Sequence, residues 1–239
     1  VSYDINESVH LIILDTQWYL EDWDKSPKIN DNCDNIKDRE KFFIELEGEI
    51  KKNQQKTLVI AMHHPMYTNG VHGGKFAIDK HLFPSQQKIP VPILGSLVTQ
   101  IRTQGGVSKQ DRFNEKYNEL MKRIRVLGQT HKKIVFVSGH EHGLQYIEHD
   151  EVRQIVSGSG SKSSYAYLGN DGLFSSDYEG FAKLDIFEDG SSWVQYYGTN
   201  QETGEPELFF QQEVYAPDSM VTHARCVRGP PQCWPRSVA

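Results

Sequence analysis

Three short apolar runs constrain this chain more than any other feature: VHLIILD (9–15), LVIAM (58–62) and IVFVS (134–138). Each has the length and β-branched content of a buried strand. Between them lie two segments of helical periodicity. The stretch 36–52, IKDREKFFIELEGEIKK, sets Phe42, Phe43, Leu46 and Ile50 at helical spacing, with Asp38 near the start. Residues 111–131 repeat the pattern through Phe113, Tyr117, Leu120, Ile124 and Leu127. An order of strand, helix, strand, helix, strand predicts a layered α/β domain. After residue 138 the pattern turns to successive short strands, LQYIE, VRQIV, FAKLDIF and WVQYY, and Asp189-Gly190 and Thr203-Gly204 mark hairpin turns. A second, largely antiparallel sheet is the expectation. Residues 16–35 read as an aromatic and acidic loop. The Gly- and Pro-rich insert 66–111 includes a short amphipathic helix over 93–103.

Charge and length narrow the function classes. The net charge of -6, spread along 239 residues, gives no reason to expect nucleic acid as a partner. No apolar run approaches the roughly 20 residues that span a bilayer as a helix. Residues 1–8, VSYDINES, lack the basic start and apolar stretch of a signal peptide. A chain that opens without Met, just before a strand, is what a piece of a longer protein would show. Cys33, Cys226 and Cys233 have neither CxxC spacing nor an even count, so they predict neither a disulfide framework nor a zinc knuckle. Residues 216–239 change composition: 3 Arg and no Lys, against 6 Arg and 17 Lys before them. They are expected to be a disordered or non-native tail behind a domain spanning 1–215.

Five of the ten histidines fall in two segments, AMHHPMYTNGVHGG (His63, His64, His72) and SGHEHG (His140, His142). Each segment begins where a strand is expected to end. Sites in open α/β sheets form beyond the carboxyl ends of strands, so the two clusters are expected to wall one pocket. Residues at i and i+2 of an extended backbone project to one side, which lets His140 and His142 reach neighbouring points. Two metals about 3.5–4 Å apart can each take one such ring. A third imidazole from the LVIAM strand end completes the nitrogen side.

With these motifs, LVIAMHHP and IVFVSGHEHG in this order with a helix between, the chain resembles the C-terminal half of a calcineurin-like metallophosphoesterase, the superfamily that includes the purple acid phosphatases. LDTQWYL, MHHPMYTNGVHGG and SGHEHGLQYIE are most similar to bacterial metallophosphoesterases that are joined in some proteins to an outer-membrane surface-antigen barrel. The resemblance implies a four-layer αββα sandwich of two mixed sheets and metal-dependent hydrolysis of a phosphate ester. It implies two ions (Fe, Mn or Zn), with His63 and His140 on one and His142 on the other. His72 would face the substrate phosphate and assist the leaving group, with His64 beside the substrate. A periplasmic or outer-membrane setting, with a barrel elsewhere in the full-length protein, follows by the same analogy.

The sequence departs from the family in one respect. Neither Gly-Asp-x-x-Asp nor Gly-Asn-His occurs, so the bridging Asp, the other carboxylates and the Asn ligand of a two-metal centre are missing from these 239 residues. The isolated chain is therefore expected to be inactive. Two other readings stay open: an envelope-associated binding or scaffold module that keeps the fold without the activity, and a mononuclear zinc site of His63, His140 and His142 with an open water position. His64 is the alternative to His63 as a ligand. Asp15 is expected to cap the turn that follows its strand, and SGSGSKSS (157–164) to be a flexible turn.

Overall fold

In a computed structural model the described residues are 1–22, 25, 26, 28, 33, 35–76, 96, 97, 100, 101, 106–169, 171–200 and 203–218. The three apolar runs become β2 (Val9–Leu14), β3 (Thr57–Met62) and β4 (Ile134–Ser138). They pair side by side and in parallel, Leu14 with Met62 and Met62 with Ser138. The helical segments form α2 (Arg39–Lys52), capped by Asp38, and α3 (Glu115–Gly128), capped by Asn114. Asp15 caps a one-turn helix, α1 (Thr16–Leu20), within the expected loop; its carboxylate accepts from the backbone N–H of Trp18 at 2.9 Å.

The first sheet has seven strands. β1 (Ser2–Asp4) flanks β2 on one side. Beyond β4 follow β6 (Val152–Ser157), parallel to it, then β5 (Leu144–His149) and β7 (Gly172–Ser176), both antiparallel additions. The second sheet is β8 (Gly180–Ile186), β9 (Ser192–Thr199) and β10 (Pro206–Tyr215), with β9 in the middle and antiparallel to both neighbours. Gly190 and Gly204 take φ of 80° and 74° at its two turns, a region that costs a residue with a Cβ. The first sheet is thus mixed, and the second is antiparallel because hairpins build it.

Alternation along the central strands separates two cores. Ile12, Leu14, Leu58, Ile60, Met62, Ile134 and Phe136 face the helices, meeting Phe42, Phe43, Leu46 and Ile50 of α2 and Tyr117, Leu120 and Ile124 of α3. Val135, Leu144, Tyr146 and Ile155 face the other way, against Val194, Tyr196 and Val214 of the second sheet. The aromatic residues after β2 belong to the first core. Tyr19 is buried, and Trp18 stacks on Phe42 at 5.8 Å; Trp23 lies outside the described residues. The helix expected over 93–103 lies largely outside them, as does the tail from residue 219. Of the tail expected over 216–239, residues 216–218 are described, and Asp218 pairs with Lys133 at 2.9 Å. Among the described residues no helix is long and apolar enough to cross a membrane.

The pleat has a testable consequence. Ile60 is fully buried between sheet and helices, whereas Ile13 is 43% exposed. Ile60→Ala is expected to cost about 2–5 kcal/mol in urea unfolding, and Ile13→Ala under about 1 kcal/mol. Equal costs would show that the face assignment is wrong.

Candidate metal site

The parallel pairing decides where the histidines go. Leu14, Met62, Ser138 and Val156 lie in one row across β2, β3, β4 and β6, so the residues after them leave the sheet side by side. Thr16 follows the first strand, His63 and His64 the second, His140 the third, and Gly158 the fourth.

The segment leaving β3 is pinned by buried polar groups. Tyr117 donates to the carbonyl of Pro65 at 2.7 Å, Gln154 accepts from the N–H of Met66 at 3.0 Å, and Gln145 accepts from the N–H of Asn69 at 2.8 Å. Each bond is between groups withdrawn from water, where an unmet partner is costly. His63 and His64 are therefore delivered to fixed points.

Three imidazoles meet there. Nitrogens of His63, His64 and His140 lie within 4.8 Å of one another. Nδ1 of His140 faces Nε2 of His63 at 3.1 Å, and Nε2 of His140 donates to the carbonyl of Gln110 at 2.8 Å. A carbonyl only accepts, so the His140 proton sits on Nε2, and Nδ1 accepts from His63. His64 is similarly framed. Its Nε2 meets Oε1 of Gln110 at 2.9 Å, and its Nδ1 meets the hydroxyl of Thr16 at 2.8 Å. Burial drives the pKa of His140 down to about 3 and that of His64 to about 4, and it lowers His63 as well. All three rings are neutral at pH 7, the state in which imidazole binds metal. His140 has φ of 63°, a left-handed conformation costly for a residue with a Cβ.

The sequence-derived candidates divide in space. His63 and His140 come together as neighbours, and His64, the alternative ligand, joins them from a buried position. His142 is outside this trio, although it lies close enough to His63 to depress its pKa. His72 approaches from the 3-10 turn Val71–Gly73, its ring centroid 4.0 Å from that of His140. Nδ1 of His72 bonds to the buried carboxylate of Asp111 at 2.7 Å, which leaves Nε2 as its free nitrogen.

Four contributors escaped sequence reasoning: Thr16, Gln110, Asp111 and Glu141. Glu141 stands between the two histidines of GHEH, where spacing presents it as a mere interval. It is buried, its pKa is raised by burial, and its carboxylate accepts from the backbone N–H of His72 at 2.6 Å. Thr68 and Gly73 also bond to it. One side chain thus ties the GHEH turn to the His72 loop. SGSGSKSS is no free turn at its start: a Cβ at Gly158 would overlap the backbone oxygen of Glu141, and the Gly158 N–H donates to Gly143 at 3.1 Å.

The donor set fits a metal with an affinity for nitrogen. Two ligands of one ion, at metal–nitrogen distances of about 2.0–2.1 Å, stand roughly 3 Å apart. The His63–His140 pair already has that separation, 3.1 Å. Among the described residues no carboxylate belongs to the trio. Asp111 bonds to His72, and Glu141 to the loop that carries it.

Two outcomes follow. In chelator-treated protein, His64 and His140 bind protons more readily when unfolded, near pH 6.5, than when folded. Their contribution to stability is complete above that pH and is lost as pH falls toward about 4 and about 3. The urea midpoint should drop between pH 7 and pH 4.5, and by less in His64→Gln; an equal drop in both proteins would refute the assignment. Glu141→Ala should cost about 1–3 kcal/mol by orphaning the N–H of His72, and should shift the His72 ring resonances. Unchanged stability and resonances would remove Glu141 from this role.

No protein-family model matches the sequence, and no curated protein matches it. Solved structures do. GAP50, the anchor in the inner membrane complex of Plasmodium, aligns with a TM-score of 0.53 at 15% identity over 89% of this chain and 52% of its own. PhoD aligns with a TM-score of 0.56 at 11% identity over 91% of this chain and 44% of its own. The chain therefore spans about half the length of these structures or less. At such identities the likeness speaks to architecture alone, an α/β sandwich of a seven-stranded mixed sheet and a second, smaller sheet.

Proposed function

We propose that the chain carries the imidazole side of a metal-dependent phosphoric ester hydrolase, with His63 and His140 as ligands of one ion. The observation that carries this reading is the approach of these two neutral rings at the ends of adjacent parallel strands, in a phosphoesterase fold. A bound ion would supply an acidified water and a positive charge for the phosphoryl oxygens. The chain's own residues do the rest. Asp111 accepts from Nδ1 of His72 and turns its Nε2 outward; in the imidazolium form Nε2 would donate a hydrogen bond to a phosphate oxygen or a proton to the leaving group. Glu141 fixes the loop that presents it, and Thr16 and Gln110 hold His64 beside the ion. His142 is assigned to a second ion in the whole protein, where carboxylates from outside the described residues would bridge the pair.

A second reading, a mononuclear zinc site, is favoured by the all-imidazole trio. Elemental analysis after reconstitution with Mn, Fe or Zn, paired with a phosphate-ester assay, separates the two. The first reading expects at most one ion per chain here and no turnover without the missing carboxylates. One zinc with turnover that His140→Ala abolishes would establish the mononuclear site instead. No metal with any ion would sink both and leave a binding or scaffold module; GAP50 is named as an anchor.

A further inference from the structure

Away from the histidines, one arginine has no counter-charge. Arg112 makes no ion pair among the described residues, and its Nε is buried without a hydrogen-bond partner. Its guanidinium lies 5.2 Å from the centre of the Tyr67 ring, a contact that orients the fork without neutralising it. Burial also lowers its pKa, a sign of the cost of keeping this charge from water. The side chain lines a groove of about 270 Å³ with Tyr67, Asn69, Gly73, Asn118 and Ile147. The groove lies on the helix side of β5. The side-chain amide of Asn118 makes no hydrogen bond among the described residues. The one acid lining the groove, Asp171, is engaged by His149 at 2.9 Å.

We propose that this groove is a second binding site, one that takes a small oxyanion, the phosphate or carboxylate of a ligand, on the guanidinium of Arg112 with Asn118 beside it. The reasoning is one of unmet valence. A fork of five N–H donors matches a planar or tetrahedral oxyanion in two-point contact, and this fork has an orphan donor and no acid. A larger cavity, about 390 Å³, shows the contrast. Its arginines each have an acid beside them, Arg153 with Glu148 at 3.4 Å and Arg125 with Asp150 at 3.6 Å, although Nε of Arg153 is likewise without a hydrogen bond. The groove adjoins the candidate metal site without sharing a ligand. The backbone N–H of Arg112 donates to the carbonyl of His72 at 3.0 Å, so an anion held there braces the strip that carries Asp111 and faces His72.

The site does not depend on a metal, which makes it separable from the proposed activity. Chelator-treated full-length chain is titrated with inorganic phosphate and, in a second series, with acetate, at constant ionic strength. The Nε–H resonance of Arg112 is followed by nitrogen-15 NMR. Saturable movement of that resonance with either anion supports the site, and the tighter anion names the ligand class. Arg112→Gln is expected to weaken binding by at least about tenfold, whereas His140→Ala leaves it intact. Movement confined to the residues around His63 and His140, binding unchanged by Arg112→Gln, or no saturation by either anion overturns the proposal. Should Arg112→Gln fail to fold, the wild-type resonance alone still decides.

Discussion

Everything at the candidate site depends on the parallel register of β2, β3, β4 and β6. Hydrogen bonds between parallel strands hold Leu14, Met62, Ser138 and Val156 in line. The polypeptide must therefore leave the sheet at four neighbouring points, each about 4.8 Å from the next. The crossovers from β2 to β3 and from β3 to β4 carry helices α2 and α3, and those cover one face of the sheet. What remains open is the row of carboxyl ends, and the polar residues concentrate there. Slipping β3 by one residue would turn Leu58, Ile60 and Met62 away from the helices. It would also carry His63 out of reach of His140. The core and the site are secured by the same ladder.

Register alone brings rings near one another; it does not orient them. Orientation comes from a set of buried polar bonds, each of which has only one satisfactory answer. The carbonyl of Gln110 fixes the tautomer of His140, and the hydroxyl of Thr16 fixes the tilt of His64. Asp111 fixes His72, and Glu141 fixes the loop on which His72 rides. Such groups are expensive to bury, and their cost is recovered only when every partner is present. The left-handed backbone at His140 belongs to the same account, a local strain that the surrounding bonds hold in place.

This division explains what could be read from the sequence. Strands β2, β3 and β4 and helices α2 and α3 were legible because apolar periodicity is a local signal, and so were the hairpin glycines. His63, His64, His72, His140 and His142 were legible as candidates because they cluster at strand ends. Strands β1, β7 and β10 were not: β1 (SYD) is three residues long, β7 (GLFSS) pairs with the sequence-distant β5, and β10 (PELFFQQEVY) lacks a regular apolar alternation. Nor were Thr16, Gln110 and Asp111, which are ordinary polar residues until the fold sets them beside a histidine. Glu141 was in view within GHEH, yet its role is set by the N–H of His72, sixty-nine positions away. Distinguishing His63 from His64 was beyond spacing, because both rings reach the trio and they differ in burial and in partners.

The distribution of carboxylates is the deepest constraint on what the site can do. Cations in close pairs repel, and only bridging anions offset that repulsion. Here the acids near the histidines are committed elsewhere. Asp15 caps α1, Asp111 orients His72, and Glu141 closes the loop. Releasing Asp111 or Glu141 to a second ion would undo a bond that positions His72, and releasing Asp15 would uncap α1. The described residues thus offer imidazoles to a metal, with these three carboxylates held in other bonds. If the protein does run two-metal chemistry, the bridging acid must come from a part of the molecule that leaves these three carboxylates where they are.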